Sequence, residues 1–271
     1  NNICLINSVC IGRDLNVRKD YFEEIKTLCE DNNLSFFLSN EAHKITKADY
    51  SIAISWKWMI KNNENLIVFH DSLLPKYRGF APLVSQLING EEYLGVTAIF
   101  ANDYYDQGDI IVQRSKKIFY PIKIKRAIEI VSICYTDCLE FILNSIKIKN
   151  KLQSKSQDHS KASYSLWRDE EDYKVNWYES STFVKRFVDS VGFPYKGAKT
   201  FLNNKEIFIE DVELFEDVYI KNRDVGKVIF IIDEKPVVVC LKGLIIIKKA
   251  FYVDTNNSIL PFTKIRSRFM S

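Results

Sequence analysis

Over its first 146 residues the chain alternates short apolar runs with stretches whose apolar residues recur at helical spacing. No other feature constrains the fold as strongly. ICLINSV (3–9), LSFFLS (34–39), DYSIAISW (49–56), LIVFH (66–70), GVTAIFA (95–101) and DIIVQRS (109–115) read as buried strands. Between the first two, Val17, Tyr21, Phe22, Ile25, Leu28 and Cys29 recur at helical spacing up to Asp31-Asn32-Asn33. A second helix is predicted from Pro82, a good first-turn residue, to the stop signal Asn89-Gly90. The clearest helix spans 126–146, where Ala127, Ile130, Val131, Cys134, Cys138, Phe141, Ile142 and Ile146 form one stripe. Strands separated by helices predict an α/β domain: a mostly parallel sheet with helices on both faces.

At KIKNKLQSKSQDHSKAS (147–163) the apolar period stops. A polar stretch of this kind reads as an interdomain linker or as a solvated loop. Beyond it come one short helix, Thr182 to Val191, and then closely spaced strands: 206–215, 226–232, 236–241 and 244–253. Strands without intervening helices predict a small antiparallel β-barrel. The expected organisation is a first domain over 1–146, a linker over 147–162 and a barrel domain over 163–271.

Lys and Arg number 38 against 35 Asp and Glu, a net charge of +3, which argues against a polyanion groove spread over the whole surface. No apolar run reaches the roughly 18 residues of a membrane span, and no signal-peptide pattern opens the sequence. Six cysteines, none in a C-x-x-C, fall partly within apolar stretches and suit reduced thiols in a cytoplasmic protein. With three histidines (His43, His70 and His159) no metal site is expected.

Chemistry concentrates at 65–113. His70 closes an apolar strand and enters a turn containing Pro75 and Gly79, which places an imidazole at a strand's carboxyl end, where open α/β sheets bind ligands. Asp106 and Asp109 flank Gly108 in D-x-G-D at what reads as the next strand end. Singly, each motif also reads as a strand-end histidine making one hydrogen bond, or as a solvated turn. Together, at neighbouring carboxyl ends, they offer a base and a carboxylate to orient it.

HDSLLPKYRGFAP, INGEEYLGVT and DQGDI, in this order and spacing, resemble the 10-formyltetrahydrofolate-dependent formyltransferases. That family includes methionyl-tRNA formyltransferase and the enzymes that formylate nucleotide-linked amino sugars. Its pattern is Asn-x-His-x-Ser-Leu-Leu-Pro-x-x-Arg-Gly, followed by Asp-x-Gly-Asp. SYSLWRDEEDYKVNW (163–177) and FPYKGAKTF (193–201) resemble the start of the family's C-terminal domain. The resemblance implies a Rossmann-like formyltransferase fold followed by an OB-like barrel, with His70 and Asp106 as the catalytic pair. It implies a folate pocket lined by Trp58, Met59 and Ile60 on one side and by Asn102, Asp103, Tyr104 and Tyr105 on the other. Ser72, Tyr77 and Arg78 are the candidates for substrate contact. A guanidinium at Arg78 fits a pyrophosphate, and it equally fits a brace for the loop.

The implied reaction moves a formyl group from 10-formyltetrahydrofolate to the amine of a dTDP- or UDP-linked deoxyamino sugar, in the service of surface polysaccharides such as a lipopolysaccharide O-antigen. The alternatives are methionyl-tRNA formyltransferase and a non-catalytic relative. Against the first stand the balanced charge and the lack of a basic insertion near the site, so nucleic acid is not the expected partner. A second copy of the chain, as a homodimer, stays open. Two departures from the pattern stand out. Val68 occupies the family's Asn position, so either another group (a backbone N–H, or Asn102) donates to the oxyanion, or His70 carries that role alone, or the protein is inactive. The resemblance also implies that the sequence begins one β-α unit inside the natural protein.

Overall fold

The computed structural model of the chain describes residues 3–15, 17, 20–45, 48–56, 60, 65–148 and 151–271. In chain order the elements begin with β1 (Ser8–Ile11), α1 (Phe22–Asp31), β2 (Ser35–Leu38), β3 (Ser51–Ala53) and β4 (Leu66–His70). Next come β5 (Arg78–Gly79), α2 (Pro82–Asn89), β6 (Tyr93–Phe100), β7 (Ile110–Lys117), α3 (Ile124–Lys147) and β8 (Tyr164–Ser165). The rest are α4 (Ser181–Val191), β9 (Ala198–Leu202), β10 (Lys205–Phe215), β11 (Val228–Ile232), β12 (Lys235–Val239), β13 (Leu244–Tyr252) and β14 (Phe269–Met270). The chain divides into two compact units: Asn1–Pro82 with Leu94–Lys116 and Ile130–Ser165, and Leu83–Tyr93 with Lys117–Glu129 and Leu166–Ser271.

In the first unit β1 and β2 pair in parallel, and a four-stranded sheet runs in the order β3-β4-β6-β7. β4 is the inner strand that carries the site, and its Leu66, Ile67 and Phe69 are buried. The helical stripe predicted over 126–146 is realised in α3, whose Val131, Cys134, Cys138 and Ile142 are buried while Phe141 lies exposed at the stripe's margin. Tyr135 of α3 stacks on Phe69 with ring centroids 5.6 Å apart.

The α/β layering holds, but the sheet is mixed. β3 and β4 are parallel, whereas β6 runs antiparallel to β4, with Ile67 opposite Phe100 and His70 opposite Thr97. A parallel return needs a crossover long enough to carry the chain back along the sheet. Residues 71–92 are long enough for either direction, so the pairing itself, and not the length of the connection, sets the antiparallel course. At the amino end, strand was expected from Ile3. A 3-10 turn, closed by Ile6 N–H donating to Ile3 O, occupies Ile3–Leu5 instead.

The linker expected over 147–162 takes a different form. Leu152 and Gln157 are buried, Lys155 and Ile110 exchange both backbone hydrogen bonds, and β8 pairs in parallel with β5. Polar side chains hid this because the segment is held by backbone pairing rather than by an apolar stripe, so it has no hydropathy period.

The second unit is built on an antiparallel sheet ordered β11-β12-β13-β10-β9-β14. An isolated bridge, Lys227 with Arg268, draws the β11 edge toward the chain before β14, so the sheet curls as a half-barrel. Val237, Val239, Leu244 and Ile246 form one core cluster within it. α4 is capped by Ser180, whose Oγ accepts from Phe183 N–H at 3.2 Å, and it buries Val184, Val188 and Val191. No helix among the described residues is long and apolar enough to cross a membrane.

Candidate active site

His70 ends β4 with its side chain 7% exposed. Its Nε2 lies 2.7 Å from Tyr77 O. A carbonyl only accepts, so Nε2 carries a hydrogen and donates it to Tyr77 O. Nδ1 faces Asp106 Oδ1 at 3.5 Å, and Asp106 Oδ2 accepts from Gly79 N–H at 2.7 Å. The pair is thus held by backbone groups of one loop, 77–79.

The backbone around the pair adopts unusual conformations. Tyr77 and Asp106 have φ of +58° and +55°, a region L-residues enter only at a cost of order 1–3 kcal/mol. Gly79, at φ +98°, sits where a Cβ would come within 2.5 Å of Ser165 O. At Gly108 a Cβ would fall 1.6 Å from Phe100 O. The R-G and D-x-G-D glycines are therefore steric requirements of two loops that pass close to other backbone.

The expected route to this meeting was two neighbouring carboxyl ends, and that is corrected. Since β6 is antiparallel to β4, its carboxyl end lies by Ile67, away from His70. The 101–109 loop therefore folds back along β4 to bring Asp106 to the imidazole.

The remaining predicted residues sort differently. Ser72 is fully buried and its hydroxyl donates to Lys76 O at 2.6 Å, which stiffens the loop. Tyr77 contributes through its carbonyl. Arg78, 1% exposed, gives its guanidinium to Gln157 and His159, the bracing option of the two considered. Trp58 and Met59 lie outside the described residues, and Ile60 is exposed. Asn102, Asp103, Tyr104 and Tyr105 are exposed on the returning loop, where Asn102 Oδ1 accepts from Tyr104 N–H at 3.0 Å. Val68 packs against Leu74, Ile99 and Ile110.

Sequence reasoning missed four residues. Gln157 lies in the stretch taken for a linker. Phe80 is exposed and pairs with Tyr105, ring centroids 6.3 Å apart. Asp71 follows His70 directly, and Tyr135 donates its hydroxyl to the Asp71 carboxylate. Burial pushes the Asp71 carboxyl above its usual range, opposed by the Tyr135 hydrogen bond and by His70. No sequence signal joins Asp71 to a tyrosine 64 positions away. Among the described residues no group of three or more His, Cys, Asp and Glu is placed to hold a metal ion.

A buried histidine held against a carboxylate by a glycine-bearing loop, on an α/β sheet, with a curled antiparallel domain after it, defines a class. The family description "Formyl transferase" matches residues 22–126, and "Formyl transferase, C-terminal domain" matches 168–252. The chain belongs to the formyltransferase family. The methionyl-tRNA formyltransferase of Halothermothrix orenii is 29% identical over 223 residues, covering 79% of this chain and 70% of its own length. Other curated relatives are spanned by this chain over about half their length. HypX from Aquifex aeolicus, solved with tetrahydrofolic acid, superposes with a TM-score of 0.62 at 18% identity, over 91% of this chain and 44% of that one. An N-formyltransferase from Helicobacter canadensis, solved with folinic acid and dTDP-3-aminofucose, gives 0.63 at 17% identity, over 89% of this chain and 98% of that one.

Proposed function

We propose that the chain transfers a formyl group from 10-formyltetrahydrofolate to the amine of a nucleotide-linked deoxyamino sugar. The observation that carries the reading is the His70–Asp106 contact, 3.5 Å between Nδ1 and Oδ1, inside a formyltransferase fold. When bound, 10-formyltetrahydrofolate would supply the formyl carbon to the acceptor nitrogen, and the folate nitrogen that leaves would take up the proton the acceptor amine gives to His70. The donor set suits this chemistry, which needs a proton acceptor and a fixed anion beside it. His70 is the group that takes the proton the acceptor amine must lose. Asp106, its other oxygen held by Gly79 N–H, stabilises the imidazolium so formed. Phe80 and Tyr105, both exposed next to Gly79 and Asp106, offer an aromatic wall for a flat ring.

The sugar acceptor is supported by the dTDP-3-aminofucose bound in the Helicobacter canadensis neighbour, a chain of matching extent. It is also supported by the net charge of +3, a weak match for a tRNA backbone. Methionyl-tRNA formyltransferase is the second reading, favoured by the names of the curated relatives and by the basic KKAFYV and KIRSRF segments. The test incubates the protein and 10-formyltetrahydrofolate with dTDP- and UDP-amino sugars and, separately, with methionyl-tRNA, and detects the added formyl group by mass spectrometry. Formylation of a sugar nucleotide alone supports the proposal. Efficient formylation of the tRNA overturns it.

A further inference from the structure

We propose that Gln157 is a positioning residue that sets the separation between His70 and Asp106. The proposal rests on the formyl-transfer reading for its kinetic part, and its spectroscopic part stands without it. Gln157 is 6% exposed, although it lies in a polar stretch. Its Oε1 accepts from Arg78 Nε at 3.2 Å and from Arg78 Nη2 at 2.7 Å. Its Nε2 donates to Asp106 O at 2.8 Å and to Gly108 O at 2.7 Å. A primary amide has two hydrogens to donate and two lone pairs to accept with, and all four are used here.

What those bonds join gives the residue its role. Arg78 stands between Tyr77, whose carbonyl holds His70 Nε2, and Gly79, whose N–H holds Asp106 Oδ2. Arg78 N–H also donates to Ser163 O at 2.8 Å, so the loop is anchored to the same 151–165 segment through its backbone. One carboxamide therefore ties the loop that orients the imidazole to the loop that carries the carboxylate. The 101–109 loop has to fold back along β4 to reach His70, and among the described residues Gln157 is the side chain that holds its backbone carbonyls there. Arg78 is buried with Gln157 Oε1 and His159 Nδ1 as its guanidinium's partners, and no carboxylate among the described residues pairs with it. Removing the amide would loosen both loops at once.

Gln157→Glu separates the two arms. It keeps an acceptor for Arg78 and adds an ion pair there, but it has no hydrogen for the carbonyls of Asp106 and Gly108. The protein is expected to fold, with a melting temperature lowered by the two carbonyls left without a donor. Its kcat should fall roughly tenfold to a hundredfold with KM for both substrates near wild type, since small misplacements of reacting groups act on the chemical step. Should the charged variant fail to fold, Gln157→Met, similar in length and without polar atoms, is measured in its place. The second readout needs no activity: side-chain nitrogen shifts of the three histidines in labelled protein, with the His70 signals assigned through His70→Asn. The His70 signals should move while those of His43 stay. A His70 signal unmoved by the substitution, or wild-type kcat in an active enzyme, overturns the positioning role. If wild-type protein formylates no acceptor, the functional reading falls while the nitrogen shifts still decide the role of Gln157.

Discussion

Gly108→Ala tests whether the close approach of the D-x-G-D loop to strand β6 is what sets the site. An added Cβ would sit 1.6 Å from Phe100 O and 2.8 Å from Phe100 C. A carbon and an oxygen not bonded to each other need roughly 3.3 Å or more, so the backbone must part by about 1.7 Å. Phe100 cannot easily give way, because it is paired with Ile67 of β4. The loop must move instead, and it carries Asp106 two residues away. Overpacking of this size costs about 1–3 kcal/mol of stability. A shift of about 1 Å between reacting groups costs roughly a hundredfold in rate. Steady-state formyl transfer with the preferred acceptor, beside a thermal melt, is the assay. The expected outcome is a folded protein with a lowered melting temperature and kcat down by about two orders of magnitude. A variant with wild-type kcat and an unchanged melting temperature would refute the claim that this contact positions Asp106.

Asp106→Asn and His70→Asn should each lower kcat by orders of magnitude, and the double variant should be little worse than either, because the two groups serve one proton transfer. Additive losses would separate them. Val68→Asn is expected to lower stability by about 1–3 kcal/mol, since the amide enters the apolar cluster of Leu74, Ile99 and Ile110. A higher kcat with an unchanged melting temperature would show instead that position 68 reaches the substrate. Burial pushes the Cys240 thiol up to about 12 and the Cys138 thiol up to about 11, from an ordinary value of 9.0. Above that value the unfolded chain loses these protons while the folded chain keeps them, so stability is flat below it and falls as pH rises beyond it. Urea midpoints from about pH 8 to about pH 10.5 should show this fall, and Cys240→Ala should reduce it; an unaltered slope would exclude the thiol as its source.

Much of the fold is determined locally, and that part is legible in the sequence. The α3 stripe, the Pro82 start and Asn89-Gly90 end of α2, and the strands after residue 205 are fixed by periodicity and by turn residues acting over a few positions. The same holds for the identities of His70 and Asp106, because a motif's spacing is itself local. The direction of β6 is not local. It depends on which strand edge the run pairs with, and an apolar run reads alike in either direction. Nor is the role of Gln157 readable, since a single polar residue in a polar stretch leaves no pattern until the fold sets two loops against it. Arg78 shows the same limit: the residue type suits phosphate or brace equally, and only the fold buries it to 1% exposure against Gln157 and His159. The sequence by itself determined which groups can do the chemistry. Their separation of 3.5 Å was decided only in the tertiary structure, by backbone hydrogen bonds from segments distant along the chain, which hydropathy cannot register.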